Sequence, residues 1–494
     1  MSNMIPLRSS FLSSSLHHQP TTISSNTSPN PHPHILVFPY PAQGHMLALL
    51  DLTHQLSLRG LTITVLVTPK CLPFLSSLLS SQPSSITPLV LPFPSHPLVP
   101  PGIEHVKDLG STGNLPIMAA LGKLYDPLVN WLNAHPNPLV AILSDFLLGW
   151  TEHLATRWQI PRITFFSSGA FLASVFVYIW NNVEKVKSLS EVKFGHLPGS
   201  QPFKQEHLPS VFKHYKRSDP DWEFVKDGMI ANTKSWGCVF NTFDALETQY
   251  VQCFKGHVGH NRVFTVGPLS LTGPDVSGRG NSGSDPNDKV LAWLDGCPDG
   301  SVVYVCFGSQ KLLRKEQMEA LANGLEKSGT RFIWVVKPGT TQQQDDGYGV
   351  VPDGFEKRMA GRGLVVKGWA PQVLILNHKA VGGFLSHCGW NSVLEGIVGG
   401  VVILAWPMEA DQYLNARLLV DDMGVAVRVC EGADSVPDSD ELGRAIAEPM
   451  TEGGGVKAKA KDLKDKALAA MSDAGSSMKD LDRFVEELGQ LGGR

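Results

Sequence analysis

The chain of 494 residues has few cysteines and little net charge, and both shortages exclude classes of protein. The seven cysteines are odd in number, widely scattered and without a Cys-x-x-Cys pair, so the sequence does not indicate a disulfide scaffold. This cysteine usage suits a reducing compartment, and we expect a cytoplasmic protein. The formal net charge of −4 provides no general attraction to nucleic acid or to anionic membranes.

Long apolar runs are also scarce. The N-terminus lacks the apolar segment of a secretory signal. The one span that resembles a membrane helix, residues 163–180, is interrupted by Ser-Ser-Gly, which predicts a buried strand, a turn and the start of a helix. Residues 1–33 contain no Asp or Glu and only Arg8 as a strong cation. We expect a disordered tail there; the alternative is a plastid transit peptide, which usually carries more arginine.

Two motifs that mark other enzyme classes are either absent or present outside the required context. The turn Gly-x-Gly-x-x-Gly of nicotinamide and flavin oxidoreductases does not follow the first apolar run, where residues 41–45 read Pro-Ala-Gln-Gly-His. Asp-x-Asp occurs at residues 219–221, 438–440 and 480–482, but none follows a buried strand, as a metal-dependent sugar transferase requires. An oxidoreductase is therefore disfavoured, and we expect no metal site.

The sequence contains two series of short apolar runs that alternate with amphipathic ones, a pattern typical of βαβ units and parallel sheets. Its length predicts two domains of about 200 to 250 residues. Predicted strands are at residues 35–39, 62–68, 139–144, 162–166, 238–241, 301–307, 331–336, 364–367 and 401–405. Predicted helices are at residues 46–58, 150–158, 315–327, 391–398 and 479–491. Ligands of such sheets bind at the carboxyl ends of the strands, which predicts a cleft between the domains.

The boundaries of these domains follow from composition. Residues 34–270 form the first series and residues 289–475 the second. Between them, residues 271–288 are crowded with Gly, Ser, Pro and Asp, which is typical of a linker. We predict that the last segment, residues 476–494, is a helix that packs back on the body of the protein.

The segment 369–412 contains the most informative residues. Trp369 follows an apolar run and precedes Ala370-Pro371, so it should emerge at a strand end and offer a flat face to a nucleobase. The alternative for Trp369 is an ordinary core tryptophan. Further on, the strand that ends before His387 runs into a glycine turn and a helix, where His387, Asn391 and Ser392 add donors for a diphosphate. The alternative for His387 is a core histidine with satisfied hydrogen bonds.

Two carboxylates in this segment suit sugar hydroxyls. Glu395 lies one helical turn after Asn391, on the same face, and can accept hydrogen bonds from a ribose diol. Asp411 and Gln412 place a carboxylate beside an amide, which suits the hydroxyls of a hexose. The alternative for Asp411 is a helix N-cap.

Over its full 44 residues the segment from Trp369 to Gln412 resembles, without a gap, the signature box of plant family 1 UDP-dependent glycosyltransferases. The resemblance implies two Rossmann-like doubly wound α/β domains facing across a cleft (the GT-B type), with 34–270 binding the acceptor and 289–475 the UDP-sugar. It implies that Trp369 stacks on uracil, with Ala370 beside it in the donor site. The other implied donor contacts are Gln372 and Glu395 with ribose, His387, Asn391, Ser392 and Ser309 with the diphosphate, and Trp390, Asp411 and Gln412 with the sugar. In this family Gln at the last position accompanies glucose more often than galactose.

The first domain supplies the expected chemistry. His45 lies where a strand end meets a helix, and a neutral imidazole there can take a proton from an attacking hydroxyl. Asp145 closes another apolar run and would orient His45, as carboxylates do in hydrolase triads. The family pattern agrees for both. Ser167 matches a family position near the donor sugar and phosphate, although its register against Ser168 stays open.

Taken together, these features predict an inverting O-glucosyltransferase that uses UDP-glucose as co-substrate, without a cofactor, and His45 as general base. The expected acceptor is a small phenolic, a flavonoid such as a flavonol, because the first half most resembles family members that glucosylate flavonols. The apolar residues 91–101 are a candidate wall of its pocket. The alternatives are a non-catalytic UDP-sugar-binding protein, a transferase with another sugar donor, and one with a benzoate or terpenoid acceptor. We expect a monomer without nucleic-acid partners or membrane insertion.

Overall fold

The computed structural model describes residues 33–109, 113–199, 201–274, 287–451 and 455–491. The strands in chain order are β1 (His34–Phe38), β2 (Thr62–Val67), β3 (Ile86–Val90), β4 (Ala141–Asp145), β5 (Arg162–Phe166), β6 (Glu191–Val192), β7 (Phe203–Lys204), β8 (Gly237–Phe240), β9 (Val263–Thr265), β10 (Val302–Cys306), β11 (Arg331–Val336), β12 (Gly363–Lys367), β13 (Val381–Ser386), β14 (Val402–Ala405) and β15 (Ala426–Arg428).

Helices connect most of these strands. In chain order they are α1 (Gln43–Leu58), α2 (Ser76–Ser81), α3 (Asn114–Gly122), α4 (Tyr125–Ala134), α5 (Thr151–Trp158), α6 (Ala170–Asn181), α7 (Val183–Lys187), α8 (Ser210–Lys213), α9 (Pro220–Ala231), α10 (Asp244–Val258), α11 (Asn287–Asp295), α12 (Lys315–Ser328), α13 (Thr341–Asp345), α14 (Phe355–Arg358), α15 (Gln372–Leu376), α16 (Trp390–Gly399), α17 (Gln412–Arg417), α18 (Ser439–Ala447), α19 (Gly455–Ala470) and α20 (Ser476–Leu491).

Two parallel sheets organise the chain. The first has the order β3-β2-β1-β4-β5-β8-β9 and the second the order β12-β11-β10-β13-β14-β15, while β6 and β7 form a small antiparallel pair. The direction of strand succession reverses between β1 and β4 in the first sheet and between β10 and β13 in the second. Loops diverge at such a switch point and leave a crevice at the carboxyl ends of the strands. The architecture is that of two Rossmann-like α/β domains, as the sequence predicts.

Apart from the edge strand β3, the strands of the first sheet are almost fully buried, and their nearly continuous apolar sequences are typical of a sheet covered on both faces. One face packs against α3, α6, α9 and α10, and the other against α1 and α20. The helix α20 places Leu481, Phe484 and Leu488 in the core beside Phe264 of β9. Each of these fully buried side chains contributes about 1.5–3 kcal/mol of transfer free energy. The last described segment therefore completes the core of the first sheet.

Several differences between the predicted and observed elements have local causes. The strand β3 is absent from the predictions because Pro88 interrupts its pattern, and it lies at the sheet edge, where proline is tolerated.

Residues 163–180, the span that resembles a membrane helix in sequence, form most of β5, a turn and most of α6. Among the described helices, none is both long and apolar enough to cross a membrane. The predicted tail, except for residue 33, and most of the predicted linker lie outside the described residues.

Candidate active site

A cavity of about 1220 Å³ lies at the carboxyl ends of the strands of both sheets. It is lined by all but one of the residues predicted for the site, namely His45, Ser167, Ser309, Trp369, Ala370, Gln372, His387, Trp390, Asn391, Ser392, Glu395, Asp411 and Gln412. The remaining residue, Asp145, is fully buried behind His45. The sequence therefore identified side chains that the fold brings together from distant segments.

The switch point of the first sheet brings His45 and Asp145 into contact. His45 is the third residue of α1, which follows β1, and Asp145 is the last residue of the neighbouring strand β4. His45 Nδ1 lies 2.9 Å from Asp145 Oδ2, and the other carboxylate oxygen accepts a hydrogen bond of 2.9 Å from the Leu147 amide. The carboxylate is thus fixed at both oxygens, while the imidazole remains partly exposed in the cavity.

Ser167 joins this pair at the end of β5. Its Oγ lies 2.8 Å from His45 Nδ1, the same nitrogen that contacts Asp145. With Asp145 ionised, Nδ1 carries the proton and shares it between the two oxygens, so Nε2 keeps its lone pair for a base reaction. The contact is made by Ser167, whereas the hydroxyl of Ser168 is buried without a hydrogen-bond partner among the described residues.

The surroundings of His45 favour its protonated form. Burial alone would lower the pKa of His45, but the charge of Asp145, the hydrogen bond to it and the charge of Asp411 outweigh burial and raise the pKa above 6.5. A pKa near the working pH is what a general base requires, because the group must both exist as the neutral form and bind a proton readily.

The switch point of the second sheet holds His387. Gly308 and Ser309 follow β10, and His387 follows the adjacent strand β13. The ring of His387 fits between two glycines, since a Cβ atom built at Gly308 or Gly389 would lie 2.7 Å from its Nε2. Burial lowers the pKa of His387 to about 4, so the ring is neutral at physiological pH. Its Nδ1 is buried and has no hydrogen-bond partner within the described part of the chain.

Gln372, Ser392 and Glu395 form one polar cluster. The Gln372 amide donates hydrogen bonds of 2.7 Å to Glu395 Oε2 and 3.2 Å to Ser392 Oγ. Ser392 and Glu395 lie on successive turns of α16, whose N-terminal amide groups favour an anion. Trp369 follows β12 through Gly368, which has a φ of +99°, and is only partly buried. This exposure to the cavity favours a stacking surface over the alternative of a core tryptophan.

Trp390 and Asn391 have contacts that the sequence did not indicate. The buried Trp390 indole donates a 2.7 Å hydrogen bond to the Asn241 carbonyl, and Asn391 Nδ2 donates a 2.8 Å hydrogen bond to the Gly44 carbonyl. Both bonds join α16 to the first domain. The side chains of Trp390 and Asn391, predicted to contact the sugar and the diphosphate respectively, therefore also form hydrogen bonds between the two domains. The bond from Asn391 ends at Gly44, next to His45.

Asp411 and Gln412 also differ from a simple helix start. The Asp411 side chain makes no capping bond to α17; it accepts a 2.9 Å hydrogen bond from Asn415. Burial raises the pKa of Asp411, against the opposing effects of Asn415 and the charge of His45. Gln412 Oε1 accepts bonds from the amides of Met408 at 2.9 Å and Glu409 at 3.0 Å. The Gln412 side-chain oxygen is thus occupied, and its Nε2, which makes no hydrogen bond to the described residues, keeps two donors for a ligand.

The Asp-x-Asp sequences have structural roles. Asp219 caps α9 and Asp438 caps α18, each through two backbone amides, while Asp480 accepts a 2.8 Å hydrogen bond from the Thr265 amide. Within the described ranges, no group of three or more His, Cys, Asp or Glu side chains is arranged to hold a metal ion.

The apolar wall of the cavity was predicted at the wrong place. Residues 91–101 do not line it. The wall is instead formed by aromatic and aliphatic side chains of several elements, namely Leu115, Met118, Phe146, Leu147, Leu172, Phe176 and Trp222. The sequence could have indicated Phe146 and Leu147 as cavity residues, because they directly follow Asp145 at a strand end. The helical residues gave no such signal, since their apolar faces look like ordinary core.

Comparison with known proteins gives consistent matches. A family model described as UDP-glucoronosyl and UDP-glucosyl transferase matches residues 282–448. UDP-glycosyltransferase 89A2 of Arabidopsis thaliana is 54% identical over 472 residues, which cover 95% of this chain and 98% of the relative. Flavonol 3-O-glucosyltransferase UGT89B1 of the same plant is 49% identical over 469 residues, which cover 93% of this chain and 97% of the relative.

A solved structure agrees over nearly the same length. The crystal structure of Arabidopsis thaliana UGT89C1 complexed with UDP-L-rhamnose has a TM-score of 0.77 and 42% identity, and the match covers 93% of this chain and 99% of that one. The same protein complexed with quercetin gives a TM-score of 0.76 at 41% identity, covering 93% of this chain and all of that one. Because these matches cover 93% of this chain, they span both sheets.

Proposed function

The chain belongs to the plant family 1 UDP-glycosyltransferases, and we propose that it moves glucose from UDP-glucose to a hydroxyl of a small phenolic acceptor of the flavonol class, with inversion at the anomeric carbon. The observation that carries the proposal is the contact of 2.9 Å between His45 and Asp145. His45 lines the same cavity as the predicted donor residues between Trp369 and Gln412. A relative named as a flavonol glucosyltransferase supports the acceptor class and the sugar.

The proposed reaction is a single displacement. The acceptor oxygen forms a bond to the anomeric carbon as the bond from that carbon to the diphosphate oxygen breaks, and UDP leaves. His45 Nε2 takes the proton of the acceptor hydroxyl. Asp145 then stabilises the imidazolium through its contact with Nδ1, as an orienting carboxylate does in a catalytic triad. The attack comes from the face opposite the leaving group, which converts an α-linked donor into a β-glycoside.

We propose that the diphosphate is held by neutral donors, without a cofactor. The candidates are the amide groups at the start of α16, the Ser309 hydroxyl and the His387 ring. A neutral His387 can donate a hydrogen bond without placing a full charge beside the leaving group. Trp369 would stack on uracil, and Gln372 with Glu395 would hold the ribose.

The acceptor class is supported by the shape and composition of the cavity. Phe146, Phe176 and Trp222 provide aromatic surface beside His45, which suits a flat polyphenol. A solved relative is complexed with quercetin. The same relative is complexed with UDP-L-rhamnose, so family membership alone leaves the donor sugar to experiment.

The decisive experiment is a mass-spectrometric screen of phenolic, benzoate and terpenoid aglycones against UDP-glucose, UDP-galactose, UDP-xylose and UDP-rhamnose. We expect a flavonol with UDP-glucose to give the fastest product formation, with UDP released in equal amount. Faster transfer from another donor, or to another acceptor class, would contradict the corresponding half of the proposal. Binding of UDP-glucose without acceptor-dependent release of UDP would indicate a non-catalytic binder.

Replacing Gln412 by histidine is expected to reduce the preference for UDP-glucose over UDP-galactose about tenfold, the effect of one lost or misplaced hydrogen bond. Histidine cannot accept from the Met408 and Glu409 amides and still present two donors to the sugar. The measurement is kcat/KM with each donor. Gln342→His, the same change at an exposed site away from the cavity, is the control. An unchanged ratio in Gln412→His would remove Gln412 from the sugar site.

A further inference from the structure

An arginine is buried beneath the His45–Asp145 pair. Arg162, the first residue of β5, is 1% exposed, and within the described ranges it forms no direct ion pair with a carboxylate. Its hydrogen-bond partners are neutral oxygens: Ser144, Thr151, Thr164, Asn232, Ser235 and the Asp145 carbonyl, at 2.8–3.4 Å. A charge buried in this way is weak evidence for stability, because well-packed apolar residues often serve the fold as well or better. Its position suggests another use.

The bonds of Arg162 converge on the main chain around Asp145. Arg162 Nε contacts Ser144 Oγ at 3.0 Å, and Nη2 donates to the Asp145 carbonyl at 3.4 Å. Arg162 Nη1 also donates to Asn232 Oδ1 at 3.0 Å, and Asn232 Nδ2 in turn donates to the Phe146 carbonyl at 2.9 Å. Three consecutive residues, 144 to 146, are therefore held by one guanidinium and one amide.

The charge of Arg162 also acts on this segment. Burial lowers the pKa of Arg162 to about 10, against the favourable charges of Glu152 and Asp145, so the group remains a cation at neutral pH. Glu152 is connected to it through Ser235, whose Oγ lies 3.2 Å from Glu152 Oε2. The Glu152 carboxylate therefore balances the charge of Arg162 without contacting the guanidinium. The hydrogen bonds of the guanidinium remain available to hold the end of β4.

We propose that Arg162, with Asn232, is a positioning residue for the proposed base: it fixes the end of β4 so that the Asp145 carboxylate stays at hydrogen-bond distance from His45. This inference rests on the proposed function of His45 and Asp145. Misplacement of a catalytic group by about 1 Å costs up to ~100-fold in rate, so a loosened β4 end has a measurable effect on turnover.

The test is Arg162→Lys, which keeps the charge but has one nitrogen and cannot hold Ser144, Asp145 and Asn232 together. We expect kcat to fall about tenfold, since a small displacement of Asp145 weakens its contact with His45. The acidic limb of the pH profile of kcat/KM should move to lower pH, because the contact that raises the pKa of His45 is weakened. UDP affinity, measured by calorimetry, should not change.

The matched control is Val239→Ala on β8, which removes buried volume from the opposite face of the same sheet and does not touch the Arg162 network. It should lower the melting temperature without moving the pH profile. If Arg162→Lys has the kcat and pH profile of the control at a comparable melting temperature, its role is structural and the inference is wrong. If Arg162→Lys does not fold, Asn232→Ala, which removes the Phe146 tether and one acceptor of Arg162 Nη1 but keeps the guanidinium, decides by the same pH criterion.

A failure of the proposed function can be distinguished from a failure of the positioning role by the activity of a His45→Ala variant. Full activity of a His45→Ala variant would overturn the assignment of the base, whatever Arg162→Lys does. An inactive His45→Ala variant together with an unchanged pH profile in Arg162→Lys would overturn the positioning role alone.

Discussion

Replacing His45 by alanine is expected to reduce the rate of glycosyl transfer about 10²- to 10⁴-fold, the usual contribution of a general base. The imidazole lines the cavity beside the end of β1, and Asp145 and Ser167 hold its Nδ1 so that Nε2 can take the proton. UDP affinity should stay unchanged, because the proposed nucleotide contacts belong to the second domain. Initial rates with saturating acceptor and calorimetric titration with UDP measure the two effects separately.

The control for this variant is His153→Ala, which removes an exposed histidine that also pairs with an aspartate, Asp227, at 2.6 Å. That pair is on the surface, so its loss should leave turnover unchanged. Near-normal turnover in His45→Ala would show that another group accepts the proton.

Replacing Asp145 by asparagine is expected to lower kcat about 10³- to 10⁴-fold, as the loss of an orienting carboxylate does in a triad. The Leu147 amide requires an acceptor at one side of the side chain, so the asparagine oxygen turns toward it and the NH₂ group faces His45. This NH₂ group donates to Nδ1, which places the imidazole proton on Nε2. The base then has no lone pair directed at the acceptor.

The pH profile provides a second readout for the same variant. In the wild type kcat/KM should fall as the pH drops through the pKa of His45, which lies above 6.5, because only the neutral imidazole accepts a proton. Asparagine removes the charge of Asp145, which raises this pKa, and leaves burial, which lowers it and is then opposed by the smaller effect of the Asp411 charge. The acidic limb of the residual activity should therefore move to lower pH.

Asp227→Asn is the matched control, since it makes the same chemical change in the exposed pair with His153. It should leave both kcat and the pH profile as in the wild type. An Asp145→Asn variant with the wild-type acidic limb would show that Asp145 does not set the pKa of His45.

The sequence predicted the elements and residues whose signals are local. The strands β5 and β11 lie at the predicted bounds because each is a short apolar run bordered by polar or turn residues. The grouping of the predicted donor residues between Trp369 and Gln412 could also be predicted, since this segment is continuous in sequence and its strand ends meet at one edge of a sheet.

Contacts that depend on distant packing were not predictable from the sequence. The bond from Trp390 to Asn241 joins residues 149 positions apart, and the bond from Asn391 to Gly44 spans 347 positions. No local pattern predicts which backbone carbonyl will meet an indole or an amide after two domains dock. The same holds for Arg162, whose six hydrogen-bond partners come from four separate segments, since sequence alone marks it only as a polar residue at the start of an apolar run.

The position of α20 has a consequence for synthesis of the protein. Leu481, Phe484 and Leu488 complete the core around β9, yet they follow the strands of the second sheet in the chain. The first domain, although its strands are translated earlier, therefore keeps an apolar face open to solvent until α20 has been made. A nascent chain released before residue 481 would expose that face to other chains, so premature termination ahead of α20 should produce aggregation of the domain that carries His45.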